Sequence, residues 1–103
     1  MLVIYRGEDT DFADSAPLEV SFETDLDITG FTAEVQFGEV IKSFPAEEVQ
    51  TKKLGLVYTA DETSTFFPGK GIANMRIFDT EGRIRIQKRF VIDVKFRSIS
   101  FRK

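Results

Sequence analysis

Apolar and polar residues alternate along several stretches of the chain, and a period of two is typical of strands with one buried and one exposed face. The longest such stretch covers residues 83–96. Six apolar side chains share one parity: Ile84, Ile86, Phe90, Ile92, Val94 and Phe96. Six polar side chains have the opposite parity: Arg83, Arg85, Gln87, Arg89, Asp93 and Lys95. This stretch therefore predicts a long strand that covers a core with one face.

Shorter stretches with strand-like patterns precede it and are separated by turn residues. They cover residues 2–6, 17–23, 31–37, 39–44, 53–58 and 72–78. The first is apolar throughout, which fits a strand that is buried on both faces or docked at a sheet edge. The polar residues 46–52 predict a loop or turn.

Turn chemistry marks the boundaries between these strands. Thr59 and Glu62 have the spacing of a capping box, which predicts one short helical turn near residues 60–66. Pro68 ends that turn, because it excludes the preceding residue from the helical region. Gly30 and Gly82 stand where their turns call for a positive φ.

About seven short strands with one helical turn predict an all-β domain, specifically a β-sandwich. A small closed barrel is the alternative. The predicted domain covers residues 1–96. Residues 97–103 form a C-terminal tail or strand extension in which the apolar parity changes, since Ile99 and Phe101 are odd-numbered.

Parity also predicts the contents of the core. Phe90 and Ile92 are expected to be buried, facing Phe22, Phe31 and Val35 across the sandwich. Truncation of a buried Phe90 to Ala is then expected to cost about 3–5 kcal/mol.

Lys88 interrupts the apolar face of the last strand, between Ile86 and Phe90. A buried lysine without a partner is costly. The sequence therefore predicts either a β-bulge that turns Lys88 outward or an acidic group close to its ammonium.

Composition narrows the candidate chemistry of this chain of 103 residues. It has neither Cys nor His, which excludes a disulfide-stapled scaffold and the usual nucleophilic and zinc chemistries. No apolar run is long enough for a membrane span, and the N-terminus lacks the pattern of a signal peptide. No cofactor is expected.

The net charge of −3 conceals an uneven distribution. Residues 1–51 carry 12 acids and 2 bases, whereas residues 52–103 carry 5 acids and 12 bases. The two halves either pair inside the domain or bring copies or partners together, acidic face to basic face.

Individual clusters give weak signals for a ligand. Asp9, Asp11 and Asp14 lack the glycine and glutamate positions of an EF-hand loop, so they predict a solvated acidic loop, with a looser Ca²⁺ site as the alternative. No glycosidase carboxylate pair or phosphate loop is recognisable. One basic strand could contact nucleic acid phosphates through four side chains: Arg83, Arg85, Lys88 and Arg89. Its exposed face has no aromatic residue for base stacking, and the chain as a whole is acidic, so neither feature favours a nucleic acid partner.

Several motifs carry a family resemblance: residues 4–9 (Ile-Tyr-Arg-Gly-Glu-Asp), residues 27–31 (Asp-Ile-Thr-Gly-Phe), residues 58–63 (Tyr-Thr-Ala-Asp-Glu-Thr) and residues 67–69 (Phe-Pro-Gly). In this order they resemble the immunoglobulin-like β-sandwich domains of tailed-phage and prophage virion proteins, especially the N-terminal domains of baseplate and tail-fibre proteins. The resemblance covers most of the chain. Each motif is also ordinary strand-end, turn or cap chemistry.

The resemblance implies a non-enzymatic structural or assembly subunit of a bacteriophage particle, in the tail, neck or baseplate region. The expected location is the virion, assembled in the bacterial cytoplasm. The expected partners are other virion proteins and copies of the chain, with no nucleic acid, membrane or small-molecule substrate. The alternatives are a carbohydrate- or receptor-binding module and a capsid decoration protein.

The tail is the predicted contact segment. We expect Ile99 and Phe101 to anchor it on a neighbouring subunit, with basic side chains facing acids: Arg97, Arg102 and Lys103. The alternative is a tail folded back onto its own domain.

Overall fold

A computed structural model describes residues 2–8 and 18–96. This part of the chain is mostly β, with strands β1–β7 and short helices α1 and α2. Their bounds are β1 (Leu2–Tyr5), β2 (Glu19–Ser21), β3 (Thr32–Phe37), β4 (Val40–Phe44), α1 (Ala46–Val49), β5 (Lys53–Gly55), α2 (Ala60–Thr63), β6 (Gly69–Phe78) and β7 (Ile84–Lys95). The predicted strands are therefore all present, with shorter bounds for most of them.

Five strands form one mixed sheet in the order β1-β7-β6-β3-β4. The pair β1 and β7 is parallel, whereas the other pairs of this sheet are antiparallel. Strands β2 and β5 form a separate antiparallel pair. The first strand therefore lies at a sheet edge, which is one of its two predicted positions.

The core lies on one face of the five-stranded sheet and includes residues of the β2–β5 pair. Its buried members follow the predicted parity, as Val20, Phe22, Leu54, Leu56 and Tyr58 illustrate. The predicted opposition across a sandwich is wrong for part of the set. Strand β3, which follows Phe31 and contains Val35, belongs to the same sheet as β7, with β6 between them.

The central part of β7 is buried less evenly than its pattern predicts. Ile92 is fully buried, but Phe90 is only partly buried against the core. Ile84 is 50 % exposed and pairs with Phe78 beyond a register shift, and Phe96 is 64 % exposed, so both ends of the predicted apolar face lie outside the core. Because Phe90 is only partly buried, we expect its truncation to Ala to cost less than the roughly 3–5 kcal/mol that full burial predicts.

The capping box forms as predicted at the start of α2. The Thr59 hydroxyl accepts from the Glu62 backbone N–H at 3.2 Å, and a Glu62 carboxylate oxygen accepts from the Thr59 N–H at 2.9 Å. The segment 46–52, predicted as a loop or turn, contains the single helical turn α1, which begins after Pro45 and buries Val49.

Asp79 organises the β6–β7 hairpin and is almost completely buried. Its Oδ1 accepts from the backbone N–H groups of Glu81 and Arg83, each at 2.9 Å, and Oδ2 accepts from Arg83 Nε at 3.2 Å. Gly82 closes the turn with a φ of 82°. The hydrogen bond from the Arg83 backbone, followed by those from Glu81 and the positive charge of Arg83, lowers the pKa of Asp79 below its ordinary value of 3.8.

The lowered pKa of Asp79 makes hairpin stability depend on pH. A carboxylate whose pKa falls on folding stabilises the fold above its unfolded value, and this contribution is lost as the pH drops through the folded value. We expect Asp79→Asn to lower the urea midpoint at pH 7, and the difference from the unchanged chain to shrink below about pH 4. Glu81→Gln, in the same turn but exposed, is the matched control and should change little at either pH. A pH-independent effect of Asp79→Asn would contradict the role of the charge.

Candidate functional site

The predicted partner-binding residues cannot be placed from this structure. Arg97, Ile99, Phe101, Arg102 and Lys103 lie outside the described residues. The choice between a tail that packs on a neighbour and one that packs on its own domain therefore stays a prediction. What the structure does give is the surface around Phe96, the residue from which the tail continues.

Two exposed phenylalanines lie at this end of the sheet, and we call them, with Arg6, the Phe67–Phe96 patch. Phe67 is 91 % exposed and Phe96 is 64 % exposed. The β6–β7 register pairs Gly69 with Val94, so Phe67 and Phe96 are each two residues beyond the same paired position. The patch therefore joins a loop tip to the end of the longest strand.

Of the two adjacent residues Phe66 and Phe67, the first has its ring in the core and the second has its ring in solvent. Phe66 is buried, and its ring makes edge-to-face contacts with Phe37 at 4.7 Å and Tyr58 at 5.4 Å between centroids. Phe67 follows directly and precedes Pro68, which holds it in an extended conformation. The buried Phe66 ring thus anchors the backbone directly before Phe67 in the core.

Arg6 connects the two sides of the patch. Its Nε donates to the Phe66 carbonyl oxygen at 2.9 Å, and its guanidinium carbon lies 5.7 Å from the centroid of the Phe96 ring. Its backbone N–H donates to the Lys95 carbonyl oxygen at 2.9 Å, which holds the end of β1 against β7. The predicted strand 2–6 ends at Tyr5, one residue early, and the bridging role of Arg6 was missed.

A second tie joins the residues after β1 to α2. The buried Thr63 hydroxyl lies 2.9 Å from the Glu8 carbonyl oxygen, to which it donates. Together with the bond from Arg6 to Phe66, this contact fixes the turn after β1 on the segment that carries Phe67. The patch therefore stands on a rigid base, which favours a binding role.

The polar cluster beside α2 has a structural role. Lys42 Nζ lies 2.7 Å from a Glu62 carboxylate oxygen and 5.3 Å from the centroid of the Tyr58 ring. Burial, and then the negative charge of Glu62, raises the pKa of Tyr58 to about 12. The phenol therefore stays protonated at neutral pH, and Lys42 serves to hold α2 on the sheet.

Lys88 follows neither of its two predicted arrangements. It stays in regular register opposite Met75, and the irregularity of the hairpin lies at Ile77/Phe78 instead. Its side chain is exposed, and Nζ donates to the Ser21 carbonyl oxygen at 2.8 Å. Within the described residues its hydrogen-bond partner is thus a backbone carbonyl rather than an acid.

The basic side chains of the last strand do not form one continuous surface. Arg83 and Arg85 lie near Asp79, at 3.2 and 3.6 Å from its Oδ2. Lys88 and Arg89 alternate between the two faces of β7. These four basic side chains therefore do not form one row that could contact the phosphates of a nucleic acid.

The charge asymmetry is partly resolved inside the domain. Arg76 NH1 lies 2.9 Å from Glu34 Oε1, which joins the basic half to the acidic half across β6 and β3. In the ion pair of Lys42 and Glu62, the base comes from the first half of the chain and the acid from the second half. Intramolecular pairing therefore accounts for only part of the asymmetry among residues 2–8 and 18–96.

The described residues contain no candidate metal-binding site. No group of three or more acidic residues within the described ranges is arranged to hold an ion. Asp9, Asp11 and Asp14, the residues of the predicted acidic loop, lie outside those ranges. Whether these three aspartates form a solvated loop or a Ca²⁺ site therefore stays a prediction.

Comparisons with known proteins give no relative for this chain. No protein-family model, curated protein or solved structure matches it. None of the helices in the described part of the chain is long and apolar enough to cross a membrane.

Proposed function

We propose that the chain is a non-enzymatic structural subunit of a bacteriophage particle, in the tail, neck or baseplate region, and that it acts through protein–protein contacts. The observation that carries the contact role is the Phe67–Phe96 patch. The patch lies where the predicted contact tail leaves the domain. In this proposal the patch and the tail form one continuous contact surface for a neighbouring virion protein or a second copy.

The energetics of the patch favour a contact role. Full burial of one phenylalanine contributes roughly 1.5–3 kcal/mol relative to exposure. Phe67 has nearly all of its surface available for such burial. Aromatic residues and arginine are typical of interface hot spots, and Arg6 contacts the Phe96 ring and the Phe66 carbonyl oxygen, one residue before Phe67.

The assignment to a phage particle rests on the motif resemblance. The motifs at residues 4–9, 27–31 and 58–63 support an immunoglobulin-like relationship, which we propose together with the function. The chain has no His or Cys from which a common nucleophile or general base could be drawn, and this supports a role without catalysis.

A carbohydrate- or receptor-binding module is the second candidate, together with a capsid decoration protein. The exposed ring of Phe67 is the observation that favours a binding module, since exposed rings stack on sugars. Phenylalanine has no polar group to orient a sugar, and Tyr58, which has one, is buried. A protein contact therefore fits the patch better.

Native particles provide the test of the proposed function. In a host that produces the chain naturally, we expect it to co-sediment with a phage or tail-like particle and to be identified by mass spectrometry beside other virion proteins. Raising NaCl from about 0.05 to about 0.5 M should release part of it, because exposed charge contacts are screened. Sedimentation as a free monomer at every salt concentration, with no virion protein attached, would contradict the proposal.

A further inference from the structure

Strand β7 has an open edge along its first two thirds. On one side β6 pairs with β7 from Ile84 to Val94. On the other side β1 pairs only with the end of the strand, starting at Ile92. Among the described residues, the edge at residues 84–91 therefore has no neighbouring strand on the β1 side.

The backbone groups at this edge can be assigned by alternation. Lys95 accepts from Arg6, so its carbonyl faces the β1 side. Successive residues of a strand point their backbone groups to opposite sides, so residues of the same parity face the same side. Gln87 and Arg89 consequently direct their N–H and C=O groups toward the open edge.

A groove of about 360 Å³ lies beside this edge. Its lining comes from β7, β2 and the start of β1: Leu2, Glu19, Val20, Ser21, Lys88, Phe90 and Val91. Val20 is buried, and Leu2 and Phe90 are partly buried against the core, so the floor is apolar. The partial burial of Phe90, which the sequence pattern did not predict, leaves part of its ring for an occupant of this groove.

The second wall of the groove also has a strand edge. On the β5 side, the Leu18 carbonyl oxygen accepts from the Leu56 N–H at 2.8 Å, and the Phe22 N–H donates to the Lys52 carbonyl oxygen at 3.1 Å. The backbone groups of Glu19 and Ser21 then face away from β5. The bond from Lys88 Nζ to the Ser21 carbonyl oxygen confirms this direction.

The open edge is positively charged. Neither Lys88 nor Arg89 forms an ion pair with another described residue. Arg85 lies near Asp79 but remains 43 % exposed. A second copy of β7 would place like charges opposite one another, which disfavours self-pairing and favours an acidic strand.

We propose that this groove binds an extended acidic segment of a partner protein, which adds to the open edge of β7 as a further strand. Its backbone pairs with Gln87 and Arg89, its carboxylates lie on the face of Arg89, and its apolar side chains lie on the opposite face, where one packs on Phe90. The proposal is independent of the phage assignment and of the Phe67–Phe96 patch. It requires only that the edge accept a strand of the right charge.

A defined peptide tests the proposal on the full chain. The probe is a peptide of about nine residues that alternates Glu and Val, titrated into the ¹⁵N-labelled protein. We expect amide shifts concentrated at residues 86–91 and 19–21, and slower hydrogen exchange at Gln87 and Arg89. The same peptide with Lys in place of Glu should not bind, and one with Pro at its central positions should lose the exchange protection.

Charge-reversal variants complete the test. Arg89→Glu should weaken binding by about tenfold or more, whereas Lys70→Glu, an exposed lysine on β6, should leave it nearly unchanged. Unchanged urea midpoints confirm that the variants are folded. Equal binding of the Lys peptide, retained affinity of the Pro peptide, or no shift at residues 86–91 at millimolar peptide would overturn the proposal and assign these cations to the protection of an edge strand.

Discussion

Replacement of Ile92 by Ala is expected to lower the free energy of unfolding by about 2–5 kcal/mol. Ile92 is completely buried and lies between two strands, opposite Leu2 of β1 and Gly71 of β6. The change removes apolar contacts and leaves a cavity where the parallel strand docks. Urea denaturation, followed by circular dichroism, measures the loss.

Ile72→Ala is the matched control for this prediction. Ile72 is on the neighbouring strand β6 but is 57 % exposed on the opposite face. The same chemical change should therefore cost about 1 kcal/mol or less. Equal losses for the two variants would contradict the assignment of the core to one face of the sheet.

Replacement of Phe67 and Phe96 by Ser is expected to abolish most of the assembly. Each ring is exposed in the free domain and is available for burial against a neighbour. Truncation of a central aromatic contact weakens association by about 10- to 100-fold, and the double variant should lose more than either single variant. Co-sedimentation of the variant with native particles measures the loss.

The urea midpoint and an exposed control distinguish assembly from folding. Because Phe67 is almost fully exposed, Phe67→Ser should change stability by about 0.5 kcal/mol or less. Ile41→Ser, at a residue that is 50 % exposed on β4, should leave assembly intact. Normal incorporation of the folded double variant would refute a contact role for the patch.

Parity along the chain predicted the strands and most of the core. The alternation in β3 and β7 has one physical cause, because successive side chains of a strand point to opposite faces. Local turn chemistry was equally informative, as the capping box at Thr59 and the hairpin closed by Gly82 demonstrate. Each of these features depends on a few adjacent residues, so a single sequence is sufficient to find it.

Strand order could not be predicted in the same way. The parallel contact between β1 and β7 joins residues from the two ends of the described chain, and no local pattern encodes it. The placement of Phe31 and Val35 opposite β7 failed for this reason. Lys88 was misjudged because its environment depends on the Ser21 carbonyl oxygen, which belongs to a distant strand.

The candidate site was only partly visible in the sequence. In the sequence, Phe67 was interpreted only as the residue before Pro68, where the helical turn ends. Adjacent side chains of an extended segment point to opposite faces, so Phe66 and Phe67 cannot both enter one small core. The contacts of Arg6 with the Phe66 carbonyl oxygen and the Phe96 ring are tertiary, and no local pattern encodes them. The predicted tail residues follow Phe96 directly in the sequence, and their contact role stays a prediction.

Photo-cross-linking from position 67 tests most directly whether this end of the domain contacts a neighbour. A benzophenone amino acid is placed at Phe67 in one variant and at Ile41 in a second, and each is irradiated in the native particle. We expect position 67 to form a cross-link to another virion protein or to a second copy, and position 41 to form little or none. Cross-links from position 41 alone would contradict a role for the Phe67–Phe96 patch in assembly.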